Sequence, residues 1–225
     1  MLLAKMGAEV VGISLPPISS PYSLYSDAKI SKITTQELFL DIRNKIELER
    51  AIKELEPDYI FHLAAHFANQ NSVDFMYSDL NTNVIGTLNL LESARQLVSL
   101  EKFIYASSSC VYGNSTLMSE NDLIFPYDTP YAINKYVGEM YMKYYYHQYN
   151  LPTISIRIFN TYGPFDVPGK YRNFIPNLVK SALQNDDIII TGDGNETRDF
   201  TFVSDTCNLL ILASQHVGVY DVFNS

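Results

Sequence analysis

Short apolar runs and longer amphipathic stretches alternate along most of the chain. The apolar runs are about five to eight residues long and rich in β-branched and aromatic side chains, which is typical of buried strands. We predict strands at five places, in chain order: 9–13 ("EVVGI"), 37–42 ("ELFLDI", ending near Asp41), 59–65 ("YIFHLAA"), 102–109 ("KFIYASSS") and 153–160 ("TISIRIFN").

Between these runs the apolar residues recur at helical spacing. The predicted helices are 1–6 (ended by Gly7), 46–55 (closed by Pro57), 73–97 (broken near Ser78), 128–150 and 174–183. A Pro- and Ser-rich loop is predicted from Leu15 to about Ser31. Near the end of the chain we predict a short strand at 187–190 ("DIII") and a last strand within 219–225 ("VYDVFNS").

Strands that alternate with helices in this way indicate a parallel sheet covered on both faces. The predicted fold class is therefore α/β, with a doubly wound parallel sheet. After residue 160 the pattern becomes irregular. We divide the chain into a sheet domain over 1–160 and a mixed segment over 161–225, which holds part of a smaller lobe and a last strand returning to the sheet.

The composition limits the kinds of partner. A net charge of −9 with no run of Lys or Arg disfavours nucleic acid as a partner. Cys110 and Cys207 have neither metal-site spacing nor a disulfide pattern, so we expect no metal and a cytoplasmic location. No apolar run approaches the roughly 20 residues that cross a bilayer, so no membrane partner is expected. The first residues do not resemble a signal peptide.

In doubly wound sheets, ligands bind beyond the carboxyl ends of the strands. That rule selects Ser14, Asp41, 64–66, 107–109 and 159–160 as candidate ligand-facing positions.

Tyr131 and Lys135 are the strongest candidates for chemistry. Thr129 or Asp128 can cap the helix over 128–150, and Pro130 suits its first position. The two side chains then lie one turn apart on the same face. A nearby ammonium favours phenolate and would lower the pKa of the tyrosine, making it a general acid or base. The alternative is a Tyr-rich helix on which the pair falls by chance.

Further motifs decide between these interpretations. They are "HLAA" at 62–65, "NVIGT" at 83–87, "SSSCVYG" at 107–113, "YAINK" at 131–135, "RIFNTYGP" at 157–164 and "RDFTFV" at 198–203. With these motifs in order, the chain resembles the extended short-chain dehydrogenase/reductase family, the NAD-dependent sugar-nucleotide epimerases and dehydratases. The resemblance covers nearly the whole chain and implies a Rossmann-type dinucleotide-binding domain over 1–160.

The resemblance implies the catalytic roles. Tyr131 would be the acid/base, while Lys135 would hold the cofactor ribose and depress the tyrosine pKa. Ser108 would be the catalytic serine and would hydrogen-bond the reacting sugar oxygen. For Ser108 alone, a strand-end hydroxyl that satisfies nearby backbone is the alternative.

The resemblance also implies binding roles. Asp41 and Ile42 would meet the adenine, and Ala64 and Ala65 would leave room for the dinucleotide. Asn83 is expected to bridge sheet and helix. The substrate diphosphate would be held by Asn160 and Arg198, the latter through charge-assisted bonds; a solvated surface charge is the alternative for Arg198.

Ser14 is a departure from the usual dinucleotide site, which ends its second strand in an Asp or Glu that binds the adenosine ribose. A serine can bond a ribose hydroxyl but does not repel a 2′-phosphate. NAD is therefore the expected cofactor, with NADP left open.

The residues after Ser108 discriminate between reactions. Dehydratases of this family place acidic residues, or an acid and a Lys, there, and decarboxylating relatives keep a Glu. This chain has Ser109 and Cys110. A 4-epimerase acting on a nucleoside-diphosphate hexose through a 4-keto intermediate is therefore the first expectation. A 4,6-dehydratase, supported by "GISLPP" at 12–17, and a reductase stay open.

The family's first strand and its glycine-rich turn would precede this sequence, and further elements of the substrate lobe would follow it. We therefore expect a chain truncated at both ends, with a sheet that lacks its first strand. A truncated, non-catalytic remnant is the alternative from another functional class. The family also implies a homodimer, which pairs the helices containing Asn83–Arg95 and Tyr131–Tyr146.

Overall fold

The computed structural model describes residues 2–16, 36–115, 117–190 and 192–225. It has the predicted α/β fold, and every strand pair in the described residues is parallel. Most of the predicted loop between Leu15 and Ser31 lies outside those residues. Within them, no helix combines the length and the apolar character needed to cross a membrane.

Strands and helices alternate as the periodicity predicts. The strands are β1 (Val11–Ser14), β2 (Gln36–Phe39), β3 (Tyr59–His62), β4 (Lys102–Ser108), β5 (Thr153–Ile158), β6 (Thr161–Tyr162), β7 (Thr201–Phe202) and β8 (Val222–Asn224). The helices are α1 (Leu2–Lys5), α2 (Lys45–Leu55), α3 (Asn69–Asp74), α4 (Met76–Leu80), a π-helix (Asn81–Gly86), α5 (Thr87–Ala94), a 3₁₀-helix (Ser109–Tyr112), α6 (Pro130–Tyr149), α7 (Phe174–Gln184) and α8 (Val203–Ser214).

The described strands form three parallel sheets. The main sheet has the order β3-β4-β5-β8, β1 pairs with β2, and β6 pairs with β7. The return of β8 to the main sheet confirms the predicted last strand, with Phe223 opposite Ile156. Parallel pairing brings the carboxyl ends of β3, β4 and β5 to one edge, where Ser108 stands opposite Ile158.

The β1–β2 ladder shares no strand pair with the main sheet among the described residues. In a doubly wound sheet of order 3-2-1-4, the first strand lies between the second and the fourth. If β1, β2 and β3 correspond to the second, third and fourth strands of that order, the gap between β1 and β3 lies where the first strand would be. Among the described residues, the sheet therefore lacks the strand that the resemblance assigns to that position.

Helices cover both faces of β4. On one face, Phe103 and Tyr105 join a core with residues of α2, α5 and α6, including Leu91 and Met142. On the other face, Ile104 packs with β5 and α8. Burial on both faces explains why β4 reads as an almost continuous apolar run.

Two predicted features differ from the structure. The helical segment breaks at Phe75, which has φ −135° and ψ 58°, rather than near Ser78. The segment "DIII" is not a strand. Its isoleucines are exposed, at 48% for Ile188, 82% for Ile189 and 59% for Ile190. An apolar run forms a strand only when a partner strand satisfies its backbone, and the ladders of the described residues offer none here.

Candidate active site

The first turn of α6 positions the tyrosine and the lysine. Thr129 is the N-cap, and its hydroxyl accepts a hydrogen bond from the backbone N–H of Ala132 at 3.2 Å. Pro130 occupies the first turn, where its missing N–H costs nothing. Tyr131 and Lys135 therefore lie one turn apart, as their spacing predicts.

The Lys135 side chain is buried, with 3% of the residue exposed. Its Nζ donates to the carbonyl oxygen of Ala106 at 2.8 Å and lies 5.1 Å from the ring centroid of Tyr105 and 5.7 Å from that of Tyr131. No carboxylate of the described residues lies within ion-pair distance of it. Burial lowers the pKa of Lys135 to about 8.

The Ser108 side chain is the neighbour of Tyr131 that favours its phenolate form. The pKa of Tyr131 is nevertheless raised well above the ordinary value, because burial and the nearby Cys110 and Asp79 disfavour phenolate more than Ser108 favours it. The predicted lowering of this pKa by Lys135 is therefore wrong for this structure. The physical reason is desolvation, which the spacing of two residues does not reveal.

Ser108 ends β4 and caps the short 3₁₀-helix that follows. Its Oγ accepts a hydrogen bond from the backbone N–H of Cys110 at 3.2 Å, and the residue is buried. The hydroxyl therefore satisfies local backbone, and the contact of Ser108 with a reacting sugar oxygen stays a prediction. The structure brings Ser108, Tyr131 and Lys135 together.

Asn83 bridges helix and sheet, as predicted. Its side chain accepts from the His66 backbone N–H at 2.9 Å and donates to the His66 carbonyl at 2.8 Å, which fixes the loop after β3. In the same layer, Thr87 donates to the Asn83 carbonyl, so His62 Nε2 is the donor to Thr87 Oγ1 at 2.8 Å. No cluster of metal-ligating side chains occurs in the described part of the chain.

The predicted adenosine-binding residues lie on the separate ladder. Ser14 ends β1, and its hydroxyl donates to the Leu15 carbonyl at 3.2 Å. The Asp41 carboxylate is paired with the Arg43 guanidinium at 2.6 Å, and that hydrogen bond lowers the pKa of Asp41. Asp41 thus has a strong partner of its own, and its contact with a cofactor stays a prediction.

The other predicted cofactor residues differ in exposure. The Ile42 side chain is in the core, close enough to Gly86 that a β-carbon there would be 2.6 Å from Ile42 Cδ1. A buried side chain of this kind supports the sheet edge, and its contact with adenine stays a prediction. Ala64 is exposed and Ala65 half-buried just after β3, so small side chains border the surface beyond this strand.

The predicted diphosphate ligands lie in the smaller lobe. Asn160 donates from Nδ2 to the Asp199 carbonyl at 2.8 Å, which ties the two predicted segments to each other beside the β6–β7 ladder. Arg198 is exposed and donates to the Thr197 carbonyl at 2.7 Å. The structure thus brings the Asn160 and Arg198 segments close, whereas no described contact joins either residue to Ser108.

Sequence reasoning missed a buried ion pair behind the site. The Arg157 guanidinium makes two hydrogen bonds to the Glu139 carboxylate, at 3.0 and 2.9 Å, and a third to Tyr112 Oη at 2.7 Å. Ser107 also donates to Glu139, and Tyr112 donates to Asn224 of β8. A signal was present, since Arg157 interrupts the otherwise apolar strand "TISIRIF" and a charge there needs a partner.

Asp79 was also missed. Its carboxylate is fully buried on α4 and accepts a hydrogen bond from Asn134 Nδ2 at 2.7 Å. The sequence carries no clear signal for it, because an acidic residue in a polar helical stretch is usually solvated.

Comparison with known proteins identifies the family of the chain. A model of the family described as "NAD dependent epimerase/dehydratase family" matches residues 2–224. Among solved structures, an epimerase from Methanothermobacter thermautotrophicus is similar, with 40% identity and a TM-score of 0.89. The match covers 100% of this chain and 66% of that one.

Curated relatives carry more than one reaction in their names. A UDP-glucose 4-epimerase from Mycolicibacterium smegmatis is 33% identical over 79% of this chain and 57% of its own length. A dTDP-glucose 4,6-dehydratase from Xanthomonas campestris is 30% identical over 79% of this chain and 53% of its own length. The chain therefore spans little more than half the length of these curated relatives.

Proposed function

Because the chain belongs to the NAD dependent epimerase/dehydratase family, we propose that it acts as an NAD-dependent 4-epimerase on a nucleoside-diphosphate hexose. The observation that carries this proposal is the placement of Tyr131 on the first turn of α6 beside the buried Ser108, with Lys135 Nζ 5.7 Å from the tyrosine ring. The residues that follow Ser108 in the chain are Ser109 and Cys110, neither of which is a carboxylic acid.

In this proposal, Tyr131 takes the proton of the sugar 4-hydroxyl and Ser108 hydrogen-bonds the same oxygen. Bound NAD would supply the hydride acceptor for the sugar carbon. The 4-keto sugar then turns within the site, and Tyr131 returns its proton when the ketone is reduced on the other face. A tyrosine serves both steps because it can act as base and then as acid.

Lys135 supports this role through its charge. With a pKa of about 8, its ammonium form dominates at pH 7. An ammonium beside the Tyr131 ring favours phenolate and opposes the effect of burial. The site is therefore expected to work best below the pH at which Lys135 loses its proton.

The described residues fit a dinucleotide. An ammonium has three N–H donors, and the described acceptor of Lys135 is the Ala106 carbonyl, so donors are left for ribose hydroxyls. Ala64 and Ala65 leave open surface beyond β3. We assign the adenosine end to Ser14, Asp41 and Ile42, and the family is NAD-dependent.

The nucleoside-diphosphate sugar is the proposed substrate, with Asn160 and Arg198 holding its diphosphate. Guanidinium groups make charge-assisted bonds to phosphates, and Arg198 is exposed enough to do so. In this arrangement residues 1–160 bind the dinucleotide and residues 161–225 contribute to the sugar-nucleotide side.

A second copy of the chain is the proposed protein partner. The π-helix and α4 lie beside α6, and these elements expose apolar side chains, including Tyr77 (81%), Ile85 (41%) and Met140 (58%). Exposed apolar patches of this kind mark interaction surfaces. We propose a homodimer through the helices containing Asn83–Arg95 and Tyr131–Tyr146, working in the cytoplasm.

The experiment is incubation of the chain and NAD with a panel of UDP-, dTDP-, GDP- and CDP-hexoses. Products are separated and weighed by mass spectrometry. A 4-epimerase returns a new peak of unchanged mass, whereas a 4,6-dehydratase returns a product lighter by one water. A reductase needs a 4-keto sugar nucleotide and reduced cofactor and returns a product heavier by two hydrogens, so that pair is assayed in parallel. Either the dehydratase or the reductase result would replace the epimerase proposal.

The 4,6-dehydratase is retained as the second candidate because a curated relative of similar identity carries that name. The non-catalytic alternative is tested by thermal shift with NAD. The absence of a shift here, together with a shift once an upstream glycine-rich segment is added, would support an enzyme whose cofactor site needs that segment. The absence of a shift in both proteins would overturn the enzyme proposal.

A further inference from the structure

The N-terminal half of α6 is fastened to the preceding helical segment at three successive points. Thr129 Oγ1 bonds Asn69 Oδ1 at 3.1 Å, and the Tyr131 backbone N–H donates to Ser72 Oγ at 3.1 Å. The third and shortest contact runs from Asn134 Nδ2 to Asp79 Oδ1 at 2.7 Å, and both of its residues are buried. The last contact alone involves a group that carries a full charge.

Asp79 makes few other contacts. Its second carboxylate oxygen faces His66 Nδ1 at 3.4 Å, and no Lys or Arg of the described residues lies within ion-pair distance. A buried carboxylate without a Lys or Arg partner is costly unless it serves the surrounding structure. Lys135 follows Asn134 in the chain. Its ammonium is likewise buried and has no ion-pair partner among the described residues.

We propose that Asp79 is a positioning residue for the Tyr131–Lys135 pair: its buried carboxylate orients Asn134, the residue before Lys135, through their 2.7 Å hydrogen bond and supplies a counter-charge for the buried Lys135 ammonium. The proposal deepens the assignment of Tyr131 and Lys135 and rests on it for its functional meaning. Asp79 itself touches no reacting atom.

Titratable groups on the neighbouring strands, loops and helices surround Asp79 and Lys135. Around Asp79 and Lys135 the titratable neighbours are His66 after β3, Tyr131 on α6, Tyr105 on β4, His62 on β3 and Cys110 after β4. Burial lowers the pKa of Lys135, and the Asp79 charge is the largest effect that opposes this. Without that charge, Lys135 would release its proton at a lower pH.

The test is a double-mutant cycle in the free energy of unfolding, measured by urea titration from pH 6.5 to pH 9.5. The four proteins are wild type, K135M, D79N and D79N/K135M. The free energy of unfolding of each parent (wild type or D79N) minus that of its K135M variant gives the contribution of Lys135. Since the lysine pKa is lower in the folded than in the unfolded state, this contribution rises with pH above about 8.

In the D79N background the rise should begin at a lower pH than in the wild-type background. D74N is the matched control, because Asp74 lies on the neighbouring helix α3 and its carboxylate bonds Tyr171 instead. An identical onset of the rise with and without Asp79 would overturn the proposal. Unfolding is measured without turnover, so a failed epimerase assay and a failed titration are told apart.

A second variant serves if D79N does not fold. N134A keeps the Asp79 charge and removes its 2.7 Å donor. A buried polar group that loses its only close donor is left unsatisfied, so N134A should lower the free energy of unfolding at pH 7. An unchanged free energy of unfolding would show that Asp79 does not depend on Asn134 and would overturn the proposal.

Discussion

The ring of Tyr105 on β4 lies directly against the backbone of Gly138 on α6, so that a β-carbon at position 138 would stand 2.5 Å from the ring carbon Cζ. The absence of a side chain there lets the helix approach the strand. Lys135, one turn earlier, can then reach the Ala106 carbonyl that follows Tyr105 in β4. A glycine in a helix is normally unfavourable, and here close packing explains it.

Gly138→Ala should destabilise the protein. The added methyl group meets a buried aromatic ring, and such overpacking costs about 1–3 kcal/mol. The better helix propensity of alanine offsets at most about 1 kcal/mol of this cost. Urea unfolding measures the change, and unchanged or increased stability would contradict the close approach of helix and strand.

Gly86→Ala is the matched control for this prediction. A β-carbon at position 86 would meet Ile42 Cδ1 at 2.6 Å, the far end of a flexible side chain that can turn aside. We therefore expect a smaller loss for Gly86→Ala than for Gly138→Ala. The reverse order would mean that the Tyr105 ring yields more easily than the Ile42 side chain.

Glu139→Gln should be strongly destabilising, because it leaves the Arg157 guanidinium buried without its counter-charge. Breaking a buried pair by removing one partner costs about 3–5 kcal/mol. The double variant Glu139→Gln/Arg157→Met removes both charges and should recover a large part of this loss. The free energies of unfolding of the single and double variants, measured by chemical denaturation, check this prediction.

The exposed pair of Lys170 and Asp74 provides the comparison. Its lysine side chain is 74% exposed, and an exposed ion pair contributes only about 0–1 kcal/mol. Lys170→Met should therefore change stability little. A loss from Glu139→Gln no larger than that from Lys170→Met would contradict the assigned burial of the Glu139–Arg157 pair.

Acid should weaken the fold through His62. Burial, with the nearby Lys135 charge, lowers the pKa of His62 to about 3, whereas the unfolded chain protonates near its ordinary value. The unfolded state then binds more protons, so stability falls as the pH drops from 6.5 towards 3. At pH 4.5 the loss is roughly 2–3 kcal/mol, from 1.36 kcal/mol per pH unit.

His62→Gln should flatten the stability curve between pH 6.5 and 4.5, since glutamine does not titrate and keeps a donor for Thr87. His147→Gln, at an exposed position of α6, should leave the slope as in the wild type. Equal slopes in all three proteins would assign the acid sensitivity to other groups.

Tyr131→Phe should abolish the proposed epimerisation while leaving the fold nearly intact. General acid–base catalysis by a positioned side chain is worth about 10²–10⁴-fold in rate. Removal of a single hydroxyl that makes one hydrogen bond costs only about 0.5–1.5 kcal/mol. The control variant Tyr149→Phe, in the last turn of α6, should retain turnover. Turnover that is retained in Tyr131→Phe would contradict the assignment of Tyr131 as the acid/base.

The order of elements and the three central side chains were predictable from sequence. The cap at Thr129 and the four-residue spacing place Tyr131 and Lys135 by local geometry alone, and the strand end places Ser108. Parallel pairing of β4 and β5 followed from continuous apolar runs. Each of these features depends on neighbours in the chain or on a periodic pattern.

What could not be predicted depends on burial and on partners distant in the chain. The pKa of Tyr131 rises because many residues exclude water from it, and spacing to Lys135 carries no information about them. Asp79 reaches Asn134 across two helices, and nothing near either residue in the chain signals the contact. The apolar "DIII" segment shows the same limit, because a strand requires a partner.

The open side of β3 has a consequence for handling the protein. Tyr59–His62 pair with β4 on one side, and no described strand pairs with them on the other. Unsatisfied backbone groups along a strand edge, flanked by the exposed Tyr59 and Leu63, are a template for intermolecular strand addition. Concentrated samples should therefore form β-rich aggregates through this edge, and a lysine in place of Leu63 should raise the concentration at which they appear.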